Sequence, residues 1–250
     1  MSKIITITSG KGGVGKTTTA INLGTALNSF GKEVIILDAN LTTPNIGIHL
    51  GAPIVPISLN HVLHDKAKIA EAVYEHESGT KIVPSSLSAR EIGDINSRKL
   101  KDIGKKLKKM ADYVIYDSAA GLGDEAISAI EAADELIIVT NPEITAVTDA
   151  LKTAKVAELY NKPIRGVIVT KHKKSSSAMP VTNIQEMLEL PILGLVSEDK
   201  LIPKALVMKD ALIHTHPKSK VARQYKAIAA KIMGNNNYKE KLSIFERLFG

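Results

Sequence analysis

Apolar positions along the chain alternate between two patterns. Short runs of successive aliphatic residues, such as Val34-Ile35-Ile36-Leu37 and Leu136-Ile137-Ile138-Val139, mark strands buried on both faces. Such runs predict strands over Lys3–Thr8, Glu33–Asp38, Lys81–Pro84, Tyr113–Asp117, Glu135–Thr140, Arg165–Thr170 and Ile192–Val196. Between them, apolar residues recur every three or four positions and predict helices near 16–29, 97–110, 124–132, 143–160, 181–189 and 217–233. Strand and helix in alternation imply an α/β fold. The expected architecture is a mostly parallel central sheet of about seven or eight strands, flanked by helices and joined by right-handed crossovers. No break in composition divides residues 1–233, which read as one domain. Gly234-Asn235-Asn236-Asn237 reads as a polar hinge, and 238–250 returns to an amphipathic helical pattern.

Composition narrows the chemistry. Of 250 residues, 44% are hydrophobic and 24% charged, ordinary globular values. Cysteine is absent, which excludes disulfides, thiol catalysis and cysteine-ligated metals, and suits a reducing cytoplasmic setting. No apolar run is long enough to span a membrane, and the strand-like start at Lys3 leaves no room for a secretory signal. The net charge of +7 favours phosphate-rich partners: nucleotide, nucleic acid or an anionic lipid surface. Tryptophan is absent and phenylalanine rare, so a stacking platform for single strands is poorly supported.

The first strand runs into Gly10-Lys11-Gly12-Gly13-Val14-Gly15-Lys16-Thr17, followed by a helix. This is G-x-x-x-x-G-K-T in the strand–loop–helix setting the motif requires. Backbone N–H groups of such a loop turn inward around phosphate oxygens, and the helix N-terminus adds a positive dipole end. Lys16 would reach the β/γ-phosphates and the Thr17 hydroxyl would ligate Mg²⁺. Two strands read as ending on acids, Asp38 and Asp117. Two carboxylates at strand ends beside a phosphate loop suit Mg²⁺ held mostly through waters.

Lys11 through Thr18 resembles the deviant Walker A motif of the MinD/ParA family of ATPases, whose early lysine reaches across an ATP-sandwiched dimer to the partner's nucleotide. The resemblance implies that Lys11 offsets charge on the transferred phosphoryl group, in a homodimer formed in the ATP state. Asp117-Ser118-Ala119-Ala120-Gly121 is similar to the family's second switch, with Ala119 where proline is usual; the Gly121 N–H would sense the γ-phosphate. The first switch departs further: Asp38-Ala39-Asn40 stands where the family has D-x-D. Asn40 can orient a water but cannot take its proton, so hydrolysis is expected to be slow and partner-stimulated. Asn141-Pro142 resembles the family's adenine-contacting loop, although Asn-Pro before a helix is also an ordinary turn. Gly194–Asp199 lies where the family stacks the base, with Ser197 replacing the usual proline.

On a helical projection, Leu242, Ile244, Phe245, Leu248 and Phe249 fall within an arc of about 160°. Charged and polar residues fill the other side, and Lys241 can snorkel. The pattern suits an interfacial anchor on anionic lipid and resembles the C-terminal amphipathic tail of the MinD branch of that family, which binds anionic lipid; a helix docked on the body is the alternative. Burying five apolar side chains yields of order 8–12 kcal/mol at most, while ordering the segment costs about 1 kcal/mol per residue or more. One tail therefore binds weakly, and two tails on a dimer gain avidity of order 10²–10⁴. Lys99, Lys101, Lys105, Lys106, Lys108 and Lys109 crowd one helix and read as a solvated face, though a nucleic-acid backbone would also fit them. Lys171–Ser177 reads as a loop. His61/His64 and His214/His216 lack the further ligands of a closed metal site, and Ser118 has no triad partners. The chain is therefore identified as a MinD-like ATPase: cytoplasmic, peripheral on the inner membrane face, using ATP and Mg²⁺, answering to an activating or cargo protein, and organising a division site or another assembly. A ParA-like DNA-binding ATPase and a non-catalytic ATP-dependent scaffold are the alternatives.

Overall fold

The computed structural model describes residues 2–91, 95–173 and 178–238. Eight strands form one sheet: β1 (Lys3–Ser9), β2 (Val34–Ala39), β3 (Tyr74–Glu75), β4 (Lys81–Val83), β5 (Tyr113–Ala120), β6 (Glu135–Thr140), β7 (Ile164–His172) and β8 (Ile192–Ser197). The order is β3-β4-β2-β5-β1-β6-β7-β8. Every neighbouring pair is parallel except β3 with β4. Ten α-helices accompany them among the described residues: α1 (Lys16–Ser29), α2 (Ile46–His49), α3 (Leu59–Leu63), α4 (Leu100–Leu107), α5 (Asp124–Ala132), α6 (Ile144–Leu159), α7 (Val181–Leu188), α8 (Leu201–Val207), α9 (Leu212–Thr215) and α10 (Lys220–Ile232).

The runs of successive aliphatics are explained by helices on both faces of the sheet. Ile5, Ile7, Ile36, Ile115 and Ile137 pack against Leu23 and Leu27 of α1 and Tyr225 and Ile228 of α10. Their chain neighbours Ile4, Ile35, Leu37 and Val114 turn the other way, onto Leu59 of α3 and Leu100, Ile103 and Leu107 of α4. Ile138, Val167 and Val169 meet Val147 of α6 and Ile184 of α7. Each such side chain stabilises the fold by about 1.5–3 kcal/mol. Tyr116, fully buried, keeps its hydroxyl satisfied on the Leu100 carbonyl at 2.8 Å, and burial holds its phenol neutral.

The predicted helices at 16–29 and 124–132 match. The one near 97–110 begins as a 3₁₀ turn at Ser97–Lys99 and ends at Leu107. The acids do not end their strands: β2 continues to Ala39 and β5 to Ala120, because Ser9 pairs with Ala120 past a register shift. Lys171 and His172 belong to β7 rather than to a loop, with Lys171 at a left-handed φ of 49°. Strand β3 and helices α2, α3, α8 and α9 were not predicted. Gly234 (φ 89°) closes α10, and Tyr238 packs edge-on against Phe30 with ring centres 5.3 Å apart. The predicted anchor residues Leu242, Ile244, Phe245, Leu248 and Phe249 lie outside the described residues. No described helix is long and apolar enough to cross a membrane.

Candidate nucleotide site

Gly10–Gly15 turns the chain from β1 into α1. Gly15, at φ 90°, caps the helix where a side chain would be strained. Gly10 is needed for a different reason: a Cβ there would stand 2.3 Å from the Asp149 carbonyl oxygen of α6. That atom is backbone and cannot swing away. Gly10→Ala is expected to lower thermal stability by about 1–3 kcal/mol and to weaken nucleotide binding; unchanged unfolding temperature and affinity would contradict this seating. Ser9 Oγ donates to the Lys11 carbonyl at 2.8 Å. Thr170 Oγ1, from β7, lies 2.6 Å from the Val14 carbonyl and 3.0 Å from that of Thr140. Thr170 thus props the loop against two strands, a role the sequence reading missed. Thr19 and Tyr225 bring their hydroxyls to 3.2 Å and tie α1 to α10.

Lys16 is 9% exposed. Burial pulls its ammonium below the usual lysine range, and Asp117 pulls it back. Asp38 and Asp117 sit opposite one another on adjacent strands. Both carboxyls are raised, chiefly by burial: Asp38 well above the ordinary range with Asp117 adding repulsion, and Asp117 to about 6 with Thr17 and Lys16 opposing. Asp38 already caps a turn, accepting from the N–H groups of Asn45 (2.8 Å), Ile46 (2.9 Å) and, more weakly, Asn40 (3.3 Å). Asp117 is different: neither oxygen has a formed hydrogen bond, although both are buried. A buried carboxylate with empty lone pairs, beside the Thr17 hydroxyl and the loop lysine, is a donor set that fits a hard, oxygen-seeking cation such as Mg²⁺.

The segment after β2 is clamped. Asn40 spends its amide locally: Nδ2 donates to the Thr43 carbonyl at 2.5 Å, and Oδ1 accepts from Thr43 Oγ1 at 3.0 Å. Glu125, at the start of α5, accepts from the Leu41 N–H at 2.9 Å, the Thr42 N–H at 3.3 Å and the Thr42 hydroxyl. Sequence reasoning missed Glu125. The Gly121 N–H, expected to face a γ-phosphate, instead donates to the Ser9 carbonyl at 3.0 Å.

Lys11 does not turn into its own loop. Its Nζ lies 2.8 Å from Glu143 Oε2 and 3.0 Å from Thr145 Oγ1, on the rim. A cleft of about 480 Å³ is lined by Gly12, Gly13, Gly15, Lys16, Thr17, Thr18 and Asn40, and also touches Lys171. Lys171 joins it to a second cavity of about 230 Å³, lined by Asn141, Pro142, Glu143 and Glu198. Asn141 is buried there with its Oδ1 lacking a donor, so its amide can take a base edge bearing an N–H group. Ser197 is held by Gln224, whose Oε1 accepts from its N–H at 3.0 Å. The structure therefore brings together Lys16, Thr17, Asp38, Asn40 and Asp117, and sets Asn141 and Pro142 beside them. The histidines are not simply solvated: His61 Nδ1 lies 2.9 Å from Ser58 Oγ, and His214 bonds Asp210. No group of three metal-binding side chains occurs among the described residues.

These features have close parallels. The ParA family model, described as an NUBPL iron-transfer P-loop NTPase, matches residues 1–233. An uncharacterised ATP-binding protein of Methanocaldococcus jannaschii is 38% identical over 234 residues, covering 94% of this chain and 89% of its own length. The septum site-determining protein MinD of Bacillus subtilis is 32% identical over 251 residues, covering 94% and 91%. The solved structure of MinD from Pyrococcus horikoshii, complexed with Mg-ADP, matches with a TM-score of 0.89 and 33% identity over 93% of this chain and 96% of that one. ATP and Mg²⁺ are the cofactors of this class of protein, and the donor set here fits them. The family model spans the whole α/β body, the relatives cover nearly all of their own length, and the fold is superposable: the chain belongs to the MinD/ParA family of P-loop NTPases.

Proposed function

We propose that the chain is a MinD-like ATPase that dimerises around ATP, docks reversibly on an anionic membrane through residues 238–250, and positions a division site or another assembly. The observation that carries this reading is the place of Lys11. Its ammonium stands on the rim of the cleft, outside its own phosphate cradle and against exposed Glu143. A lysine held there is free to serve a nucleotide presented by a second chain, which couples turnover to dimerisation.

Within one chain, the N–H groups of Gly12 to Thr18 cradle the phosphates and Lys16 offsets β/γ charge. Thr17, Asp38 and Asp117 hold Mg²⁺, which when bound screens the phosphate oxygens. Asn141 and Pro142 receive adenine. Asn40 orients the attacking water once its tie to Thr43 is released, and Gly121 reads the γ-phosphate once it leaves Ser9. Positioning and electrostatics dominate this chemistry, so an amide in place of a carboxylate slows turnover without forbidding it. The body is 1–233, the hinge 234–237 and the anchor 238–250. An activating or cargo protein completes the cycle.

Co-sedimentation with anionic liposomes tests the proposal. The chain is expected to pellet in ATP and not in ADP, and removal of 238–250 is expected to abolish pelleting while leaving nucleotide binding intact. No pelleting in either nucleotide, or loss of ATP binding with the tail, overturns it. The bonded state of Asn40 supports a second reading, an ATP-dependent scaffold with no turnover. Phosphate release that Lys16→Ala abolishes would eliminate that reading.

A further inference from the structure

Residues 98–110 hold seven basic side chains and one acidic one, nearly the whole excess of a chain whose net charge is +7. Helix α4 turns Leu100, Ile103 and Leu107 inward and leaves its lysines outside. Three of these have counter-ions: Lys99 with Asp65 at 2.5 Å, Lys105 with Asp102 at 2.8 Å and Lys108 with Asp134 at 2.7 Å. Lys101, Lys106 and Lys109 are exposed and have no ion-pair or hydrogen-bond partner among the described residues. Lys162, bonded through Nζ to the Ala133 carbonyl at 2.9 Å, adds a further cation close enough to Lys101 to feel its repulsion. Asp102, Asp65, Asp134 and Glu131 lie within reach of this group and offset it only in part, and like charges crowded in excess over their counter-ions form a surface that gains from an anionic partner.

The fold decides where that surface lies. α4 runs down into Asp112, whose N–H donates to the Glu33 carbonyl at 2.8 Å and whose Oδ2 accepts from the Glu33 N–H at 3.0 Å. Glu33 follows Phe30 by three residues, and Phe30 carries Tyr238, the last described residue. Lys109 precedes Asp112 by three. The lysine end of α4 and the departure point of residues 239–250 thus share one end of the sheet, where the strands begin. The phosphate loop is at the opposite end.

We infer that Lys101, Lys106, Lys109 and Lys162 form an accessory docking surface for the headgroups of an anionic bilayer, coplanar with the exit of the C-terminal segment. This inference rests on the membrane reading above. A lysine near such a surface contributes about 1 kcal/mol, roughly fivefold in affinity, and the contribution fades beyond a Debye length of ~8 Å at physiological salt. The patch would raise affinity without inserting into lipid, and would make docking depend on lipid charge and on ionic strength.

The test uses the full chain in ATP, with phosphatidylcholine vesicles prepared with and without phosphatidylglycerol. The triple variant K101Q/K106Q/K109Q changes only exposed side chains. Its affinity for the anionic vesicles is expected to fall at least about tenfold, with a shallower salt dependence. A control, K152Q/K155Q/K204Q, removes the same charge elsewhere and should fall much less. Equal binding by wild type and triple variant, or an equal loss in the control, overturns the inference. So does a triple variant that loses duplex DNA binding in a gel shift while keeping its vesicle affinity, since the patch then belongs to nucleic acid. Failure of the wild type to bind any vesicle would instead sink the membrane reading itself.

Discussion

Lys11→Ala is expected to lower ATP turnover at least about a hundredfold while leaving the affinity of a single chain for ATP within about threefold. A cation supplied to the transferred phosphoryl group by a finger residue is worth about 10³–10⁵ in rate, and the lower figure allows for the slow chemistry expected of Asn40. Affinity should hold because Lys11 points away from its own loop, onto Glu143 and Thr145. The Glu143 carboxyl is held below the usual range by this lysine, but both partners are widely exposed and the pair is easily parted. Glu143→Gln therefore serves as the control: it breaks the ion pair, keeps the lysine, and should leave turnover within a few-fold of wild type. Single-turnover phosphate release, with light scattering to count chains per particle, checks both. A Lys11→Ala protein that dimerises in ATP and hydrolyses at the normal rate would remove the trans role.

Asp117→Asn is expected to act in opposite directions on stability and on binding. Without nucleotide, Asp117 is a buried carboxylate with no formed hydrogen bond, pushed up to about 6. Because the folded value lies above the unfolded one, its contribution to stability is complete below about pH 4 and is lost as pH rises through about 6. At pH 7.5 the ionised group costs on the order of 3 kcal/mol. The amide removes that cost and also relieves Asp38, which Asp117 repels. The variant should melt roughly 6–12 °C higher than wild type at pH 7.5 in EDTA, and the difference should shrink towards pH 4. Mg²⁺-dependent nucleotide affinity should fall at least tenfold in the variant. In wild type it should weaken as pH drops below about 6, where the carboxyl takes up a proton. Melting curves across pH and Mg²⁺ titrations separate the two effects. A variant that is less stable at every pH would mean that Asp117 is a structural anchor.

The phosphate loop was legible because its whole logic is local: glycines, two lysines and a threonine within eight positions. The strands were legible because helices cover both faces of the sheet, so aliphatics run unbroken along them. What the sequence hid was made by distant pairing. Glu125 meets Leu41 across 84 positions, and Thr170 meets Val14 across 156. Nothing in the spacing of either residue signals its partner. Asp38 and Asp117 were read as candidates for the site, and the fold pairs them across β2 and β5. They were placed at strand ends because residues beyond them look like turn formers, whereas Ser9–Ala120 pairing keeps β5 extended. Helices α2, α8 and α9 are seven residues or fewer, too short for a period to declare itself. Asn40 was flagged by its chemistry, but only the fold shows its amide bound to Thr43.

The position of β1 has a consequence for how the protein is made. Of the eight strands it is the first to be synthesised and a central one in the sheet, yet its partners begin at Tyr113 and Glu135. The loop that follows is propped by Thr170, and α1 is tied down by Tyr225. A nascent chain therefore carries its phosphate loop exposed and unformed through most of synthesis, some tens of seconds at 5–20 residues per second. A nucleotide that binds only the completed fold stabilises it by mass action. Truncated chains that stop before β7 should accumulate as ATP-blind, chaperone-dependent species.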